Sequence, residues 1–360
     1  MQVHNFYSGP SILPKEVLQE AQAALLNFEN TGLSILEISH RSKEFVAVME
    51  NARALAKKLL NLSDEYEVIF LQGGASSQFY MIPANFLAKN ETAGYIDTGV
   101  WANGAMQEAK LYGNVAEIAT SKNENYNHIP KDFTVPNNLK YIHITTNNTI
   151  YGTQWKAAEI EALRTHNAYL IADTSSDILC QNFDYSIFDV IYAGAQKNIG
   201  TAGATLVSIK KNILEKQNKN LPKMIDYSVH ITNQSMKNTP AVFSVYISYL
   251  TLKWIEKTGL NAIEKNNKEK AALLYDFIDQ SVLFQGTVKK EDRSIMNVCF
   301  VMNDKEKEDV FAKYAKEKGI VGIEGHRSVG GFRASIYNAL PLSSVQYLVD
   351  AMQQFEKDNQ

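Results

Sequence analysis

One segment near the middle of the chain reads Asp189-Val190-Ile191-Tyr192-Ala193-Gly194-Ala195-Gln196-Lys197-Asn198-Ile199-Gly200. Its first part is apolar and rich in β-branched and aromatic residues, which predicts a buried strand, and its second part is made of small residues, which predicts a turn. Lys197 lies in that turn, where it loses hydration and where glycines let a flat group approach its amine. Such surroundings are typical of a Schiff-base lysine. An ordinary turn whose lysine reaches solvent fits the segment equally well.

Similar apolar runs precede and follow this segment and alternate with helical stretches. They span residues 68–71, 94–96, 141–144, 169–172, 189–192 and 204–209. Most of them lack a polar alternation, as expected for strands that are covered on both faces. The pattern predicts an α/β fold built on a large, doubly wound, mostly parallel sheet.

The flanking sequence predicts a second, smaller unit. Helical spacing of apolar residues indicates helices after Pro14 and from about residue 43 to 60, and a long helix that begins near Ala241. Beyond it, predicted strands near 295–302, 321 and 332 are separated by helices. We therefore expect a large domain over residues 15–255 and a smaller α+β domain over 256–360, which includes the N-terminal arm 1–14.

Composition restricts the kind of ligand. The chain has 360 residues, of which 45% are hydrophobic and 21% charged, and its net charge is −3. Because charges of both signs are mixed along the chain, we expect small-molecule substrates and neither nucleic acid nor a membrane as a partner. The chain has no apolar run of membrane-spanning length and no signal-like N-terminus, so a cytoplasmic location is expected.

The two cysteines are far apart in the sequence. Cys180 and Cys299 both lie in apolar surroundings, and neither has the spacing of a metal or redox motif. We expect both thiols to be buried in a protein of a reducing compartment, and we expect no metal site.

Ligands of open α/β sheets bind beyond the carboxyl ends of the strands, so the residues that follow each apolar run are candidates. After Leu71 the chain reads Gln72-Gly73-Gly74-Ala75-Ser76-Ser77 and then opens a predicted helix. Small residues at a helix N-terminus offer main-chain N–H groups to a phosphate. The segment matches neither a dinucleotide fingerprint nor a P-loop, so an ordinary tight turn remains an equal alternative.

Asp173 directly follows the run 169–172. It fits either a buried carboxylate that keeps a heteroaromatic nitrogen protonated or the N-cap of a following helix. The order strand, Asp173, helix, strand, Lys197 predicts that one crossover brings the two side chains to the same sheet edge. A carboxylate for a pyridinium nitrogen and a lysine for an aldehyde are the groups that pyridoxal phosphate requires.

Two further residues follow predicted strands. Trp101 fits a ring that stacks on such a cofactor, and it also fits core packing. Thr149 fits a hydrogen-bonding role in the same site, and it also fits an ordinary turn.

Three arginines lie in glycine-rich or loop segments. Arg41 follows His40, Arg327 follows His326, and Arg333 follows a glycine pair. Because a guanidinium group binds carboxylate and phosphate with two hydrogen bonds, the arginines suggest a substrate with more than one anionic group. Each one singly is also compatible with a solvated surface, and the histidines with an ordinary supporting role.

These motifs resemble those of the phosphoserine aminotransferases, which are pyridoxal-phosphate enzymes of fold type I within the class V aminotransferase group. The resemblance runs from Asn5-Phe6-Tyr7-Ser8-Gly9-Pro10 to the segment 333–339 and so covers almost the whole chain. It is most specific at residues 37–41, 192–200, 238–240 and 325–339.

The resemblance implies a role for individual residues. Lys197 and Asp173 are implied to be catalytic, the first as Schiff-base lysine and mobile base, the second as partner of the pyridine nitrogen. The residues implied to bind the cofactor are Ala75, Ser76, Trp101, Thr149, Asp173, Gln196, Lys197, Asn238 and Thr239, of which Asn238 and Thr239 act from the partner subunit. The residues implied to bind the substrate are Ser8, His40, Arg41, His326, Arg327 and Arg333. One departure is Ser76, where some relatives carry an arginine.

The implied reaction transfers the amino group of L-glutamate to 3-phosphohydroxypyruvate and gives O-phospho-L-serine and 2-oxoglutarate, a step of serine biosynthesis. The implied assembly is a homodimer with shared active sites. Use of the four-carbon phosphorylated acceptor of vitamin B6 (pyridoxine) biosynthesis stays open. The alternatives are a cysteine desulfurase, an alanine–glyoxylate-type aminotransferase, and a catalytically silent cofactor- or nucleotide-binding protein.

Overall fold

The structure is a computed structural model that describes residues 2–359. Its α-helices are α1 (Lys15–Leu26), α2 (Lys43–Leu59), α3 (Gly74–Phe86), α4 (Val100–Ala109), α5 (Ala157–Leu163), α6 (Lys211–Leu214), α7 (Tyr227–Thr232), α8 (Val242–Thr258), α9 (Leu260–Gln280), α10 (Glu308–Glu317) and α11 (Leu342–Asp358). Its strands are β1 (His4–Asn5), β2 (Tyr66–Leu71), β3 (Thr92–Asp97), β4 (Asn114–Thr120), β5 (Leu139–Thr145), β6 (Tyr169–Asp173), β7 (Val190–Gly194), β8 (Thr205–Lys210), β9 (Phe284–Gly286), β10 (Asn297–Met302), β11 (Ile320–Val321) and β12 (Phe332–Ser335).

The largest sheet has seven strands in the order β2-β8-β7-β6-β5-β3-β4. Strand β8 runs antiparallel to β2 and β7, and the other neighbouring pairs are parallel. Side chains of α1, α2, α5 and α8 form the apolar core on one face, and those of α3, α4, α6 and α7 form it on the other. The predicted large, doubly wound, mostly parallel sheet is therefore confirmed.

Burial explains which strands the sequence reveals. Every residue of β7 is buried, and all of β8 except its last residue is buried, so both faces of these strands must be apolar or hydrogen-bonded. Strand β4 lies at the sheet edge and has no buried residue. The sequence does not predict β4, because an edge strand with exposed side chains needs no continuous apolar run.

One predicted element is absent from the crossover between β6 and β7. In place of an α-helix the segment forms turns and a short 3₁₀ helix, Tyr185–Ile187. Local bonds compete with helix formation there: the N–H of Ser175 donates to Asp173 Oδ1, and Thr174 Oγ1 donates to the carbonyl of Tyr192. The two strands still pair in parallel, with Asp173 opposite Tyr192. Asp173 and Lys197 therefore lie at the same edge of the sheet, as the sequence predicts.

The C-terminal part has its own antiparallel sheet, β12-β10-β9, and its own apolar core, which includes Phe284, Phe300, Phe311 and Phe332. Strand β1 of the N-terminal arm pairs in parallel with β11. Helix α8 is followed by its C-cap residue Gly259, which has a φ of 83°. The division of the chain at residue 255 stays a prediction.

Cys180 and Cys299 are free and buried, as expected. Within residues 2–359 no helix combines the length and the apolarity that crossing a bilayer would require.

Candidate active site

A cavity of about 270 Å³ lies beyond the carboxyl ends of β3, β5, β6 and β7. This is the edge of an open α/β sheet at which ligands bind. The predicted site residues that line it are Ser8, Ala75, Ser76, Trp101, Thr149, Asp173, Gln196, Lys197, His326 and Arg333. The fold thus gathers in one place residues that are spread over most of the chain.

Lys197 follows β7, and its Nζ donates to Thr149 Oγ1 at 2.7 Å. Its main-chain carbonyl accepts from Ser11 Oγ at 2.6 Å, so the N-terminal arm holds the turn. Burial lowers the pKa of the Lys197 amine to about 8. The positive charge of Arg333 also lowers this pKa, whereas the carboxylates of Asp173 and Asp177 raise it. The half-buried amine points to the end of another strand and lines the cavity, which favours a site residue over an ordinary solvated turn.

Asp173 is the last residue of β6 and is 5% exposed. Its Oδ1 accepts the N–H of Ser175 at 2.9 Å. Burial raises the pKa of Asp173, although the hydrogen bonds from Ser175 and the charge of Lys197 lower it. No α-helix begins after it within the described crossover, so the helix N-cap alternative is wrong. Its carboxylate belongs to the cavity wall.

The segment after β2 enters helix α3 through two glycines in the left-handed region. Gly73 has a φ of 93° and Gly74 a φ of 70°. Gly73 is required by its positive φ, which side chains disfavour, and a Cβ at this position would also collide with the side chain of Ser77. Helix α3 therefore begins at the cavity, where its first N–H groups and the positive end of its dipole favour an anion.

Trp101 is the second residue of α4 and is 38% exposed, so the core-packing alternative is wrong. The carboxylate of Asp97, at the end of β3, fixes the start of this helix by accepting from the N–H of Gly99 and from Asn103 Nδ2. The indole thereby forms part of the cavity wall.

Arg333 on β12 is 9% exposed, and its Nη2 donates to Ser8 Oγ at 2.7 Å. Its Nε is buried and finds no hydrogen-bond partner in the described part of the chain. His326 lines the same cavity, and its pKa is lowered by burial and by the charges of Arg333 and Arg327. The guanidinium group therefore has unused donors at a cavity that could receive a carboxylate.

Five of the predicted residues do not line this cavity. They are His40, Arg41, Asn238, Thr239 and Arg327. Arg41 and Arg327 are exposed. Asn238 lines a different pocket together with Gln72, whose Nε2 donates to the carbonyl of Thr239 at 2.7 Å.

The sequence did not identify several residues that line the cavity, namely Gly9, Phe79, Thr145, Asn147, Ile150, Ser175 and Ser176. Thr145, Asn147, Ser175 and Ser176 lie at or just after the ends of β5 and β6. Because they follow strands, these residues could have been predicted to lie near the ligand, but Ser, Thr and Asn are also common in ordinary turns.

Comparison with known proteins identifies the family. The model of the family Aminotransferase class-V matches residues 3–348. The phosphoserine aminotransferase of Flavobacterium psychrophilum is 52% identical over 99% of both chains. The chain belongs to the phosphoserine aminotransferase family. It is accordingly an aminotransferase.

Solved structures of phosphoserine aminotransferases have the same fold. The enzyme from Bacillus circulans subsp. alkalophilus superposes with a TM-score of 0.96 at 44% identity and covers 100% of this chain and 99% of its own. The PLP-bound phosphoserine aminotransferase from Trichomonas vaginalis has a TM-score of 0.91 at 33% identity, over 98% of this chain and 100% of its own.

Membership of the phosphoserine aminotransferase family decides against the cysteine desulfurase. The surroundings of the two cysteines lead to the same conclusion, because burial raises the pKa of Cys299 to about 12 and that of Cys180 well above its ordinary value. A desulfurase needs an accessible thiolate nucleophile, which neither residue provides.

Proposed function

We propose that this aminotransferase uses pyridoxal 5'-phosphate to transfer the amino group of L-glutamate to 3-phosphohydroxypyruvate, giving O-phospho-L-serine and 2-oxoglutarate in serine biosynthesis. The observation that carries the proposal is one cavity that contains the Lys197 amine, the buried Asp173 carboxylate and the Arg333 guanidinium group. The names of the relatives, and the PLP bound to the Trichomonas vaginalis enzyme, support it.

The side chains and main-chain groups around the cavity match the functional groups of pyridoxal phosphate one by one. Lys197 offers an amine to its aldehyde, Asp173 a carboxylate to its pyridine nitrogen, and Trp101 an aromatic face to its ring. The N-terminus of α3 and the side chain of Gln196 offer hydrogen-bond donors to its phosphate. When bound, the cofactor accepts the electron pair of the substrate Cα–H bond and so makes that proton acidic.

Lys197 is the residue that moves this proton. With a pKa of about 8, its amine is partly unprotonated near neutral pH, which suits a general base. Thr149 Oγ1 accepts a hydrogen bond from Nζ and so orients the amine within the cavity. Such positioned proton transfer typically accelerates a reaction by about 10²–10⁴-fold.

Asp173 keeps a proton at the ring nitrogen. Its carboxylate is buried and bonded to the N–H of Ser175, so a cationic partner in the cavity would relieve the cost of its burial. Ala75 and Ser76 hold the phosphate mainly through their main-chain N–H groups at the start of α3. The side chain of Ser76 can add only a hydroxyl to these N–H groups.

Arg333 and Ser8 bind the α-carboxylate that donor and acceptor share. The bond from Arg333 to Ser8 Oγ fixes the guanidinium group, and its unused donors can form two hydrogen bonds with a carboxylate. His326 adds a donor on the same side of the cavity.

The second anionic group of the substrates is assigned to His40, Arg41 and Arg327, together with His326. Since His40 and Arg41 lie outside the cavity of their own chain, we assign this role to the His40 and Arg41 of a second copy. The same holds for Asn238 and Thr239 at the cofactor phosphate. The proposal therefore includes a homodimer in which each cavity is completed by the partner.

The deciding experiment is an assay of 2-oxoglutarate formation from glutamate with three acceptors: 3-phosphohydroxypyruvate, unphosphorylated hydroxypyruvate, and the four-carbon phosphorylated acceptor of vitamin B6 synthesis. We expect kcat/KM to be at least about tenfold higher for 3-phosphohydroxypyruvate than for hydroxypyruvate, because a phosphate bound by arginines contributes charge-assisted hydrogen bonds. Equal values for both would contradict the assigned substrate. The four-carbon acceptor shows how far the pocket tolerates one more carbon.

A further inference from the structure

A buried lysine outside the cavity has no role in the chemistry above. Lys270 on α9 is 0% exposed, and its Nζ donates to the carbonyls of Ile336 at 2.8 Å, Tyr337 at 2.7 Å and Leu340 at 3.1 Å. An ammonium group has three N–H donors, so these three acceptors use all of them. Removal from water lowers the pKa of Lys270 to about 7, which reflects the cost of burying an ammonium group against carbonyls and not carboxylates.

The carbonyls belong to the turn formed by residues 336–340, which connects β12 to α11. Asn267 lies one helical turn before Lys270 and binds the same segment. Its Nδ2 donates to Asn338 Oδ1 at 2.8 Å and to the carbonyl of Cys180 at 2.8 Å. Two buried polar side chains of α9 thus clamp the 336–340 turn.

The 336–340 turn touches three segments that build the candidate active site. Tyr337 Oη donates to the carbonyl of Ser8 at 2.9 Å. The N–H of Asn338 donates to Asn198 Oδ1 at 3.1 Å, next to Lys197, and Asn338 Nδ2 donates to the carbonyl of Leu179 at 2.9 Å. The turn therefore joins the N-terminal arm, the lysine turn and the segment after Asp173.

We propose that Lys270, assisted by Asn267, is a positioning residue for the subsite that binds the substrate α-carboxylate. By fixing the 336–340 turn it fixes Ser8, and Ser8 holds the guanidinium group of Arg333 at 2.7 Å. Lys270 itself does not line the cavity, so it acts through Ser8 and Arg333. The inference rests on the proposed function for the identity of the ligand.

The test compares Lys270→Met with Lys265→Met, each as the cofactor-loaded enzyme. Lys265 lies on the same helix with a side chain that is 79% exposed, so it controls for the loss of a lysine from α9. We expect Lys270→Met to raise KM for both glutamate and the keto acid by about tenfold, because small displacements of substrate-binding groups are costly. Its visible cofactor absorbance should stay that of the wild type, and Lys265→Met should change neither quantity. Unchanged KM values in Lys270→Met overturn the inference, even if its melting temperature falls.

Asn267→Ala decides the matter if Lys270→Met does not fold, since it removes one hydrogen bond to the 336–340 turn while the three carbonyls keep the ammonium group of Lys270 as their donor. The same rise in KM is expected, and wild-type KM values overturn the inference. Amide hydrogen exchange of residues 6–11 separates this proposal from the proposed function. Faster exchange of these amides in Lys270→Met or Asn267→Ala than in the wild type supports the positioning role, whether or not the wild type transaminates. Unchanged exchange overturns it. Failure of the wild type to transaminate would overturn the proposed function alone.

Discussion

Lys197 Nζ lies 2.7 Å from Thr149 Oγ1, although 48 residues separate the two in the chain. One side chain follows β7 and the other follows β5, so the hydrogen bond crosses the sheet edge over the end of β6. The amine is thereby aimed into the cavity next to Asp173. The reactivity of Lys197 consequently depends on three strands at once.

Replacement of this lysine should abolish function. General base catalysis contributes about 10²–10⁴-fold to the rate. We expect the turnover of Lys197→Ala to fall by more than this, because the covalent anchor of the cofactor is lost as well. Borohydride reduction followed by mass spectrometry should find no cofactor attached to the variant. Lys216→Ala, which removes an exposed lysine, is the matched control and should label like the wild type. Wild-type turnover by Lys197→Ala would refute the assignment.

The lowered pKa of Lys197 predicts the pH dependence of cofactor attachment. Only the unprotonated amine can attack an aldehyde, and the amine is half unprotonated at about pH 8. The rate at which cofactor-free protein takes up pyridoxal phosphate should therefore rise with pH and level off above a midpoint near 8. Stopped-flow absorbance between pH 6 and 10 would measure it. A midpoint near the ordinary lysine value would show that burial does not act on this amine.

Asp173→Asn should separate activity from stability. Burial raises the pKa of Asp173, so the ionised carboxylate costs folding free energy in the cofactor-free protein at neutral pH. The neutral amide removes that cost, and we expect a melting temperature no lower than that of the wild type. Turnover should nevertheless fall by about 10²-fold or more, because the amide cannot hold the ring nitrogen protonated. A variant with wild-type kcat would contradict the role of the carboxylate.

Arg333→Ala should weaken both substrates. Hydrogen bonds to a charged group contribute about 1.5–3 kcal/mol, so we expect KM for glutamate and for the keto acid to rise roughly 10–100-fold. Arg333→Lys keeps the charge but loses the two-pronged geometry, and it should lie between the alanine variant and the wild type. An unchanged KM for either substrate would show that the α-carboxylate binds elsewhere.

Shared active sites can be tested by mixing two inactive variants. In a mixed dimer of Lys197→Ala and Arg41→Ala chains, one cavity combines the intact Lys197 of one chain with the intact Arg41 of the other. If subunits exchange at random, activity should recover to about a quarter of the wild-type value, since half of the dimers are mixed and each has one intact site. Size-exclusion chromatography with light scattering would establish the dimer independently. No recovery after demonstrated subunit exchange would show that Arg41 serves its own chain.

The sequence predicted the buried strands because each needs apolar side chains on both faces, which is a local property. It did not predict β4, whose edge position removes that requirement, and it predicted a crossover helix after Asp173 where side chains bond the backbone instead. Lys270 was missed for a different reason. In the sequence it is one lysine among several on α9, and its acceptors lie 66 or more residues away.

What the sequence by itself determined was the α/β fold, the pairing of Lys197 with Asp173 at strand ends, and the resemblance that names the cofactor and the reaction. The fold and the placement of Lys197 and Asp173 follow from periodicity and from the order of residues along the chain, whereas the resemblance rests on specific motifs and only implies the cofactor and the reaction. Only the tertiary structure decided that the Lys197 amine has a pKa near 8, that Arg333 has unused donors, and that Arg41 lies outside its own cavity. Desolvation and hydrogen bonding depend on atoms brought together from distant segments, so no local pattern specifies them.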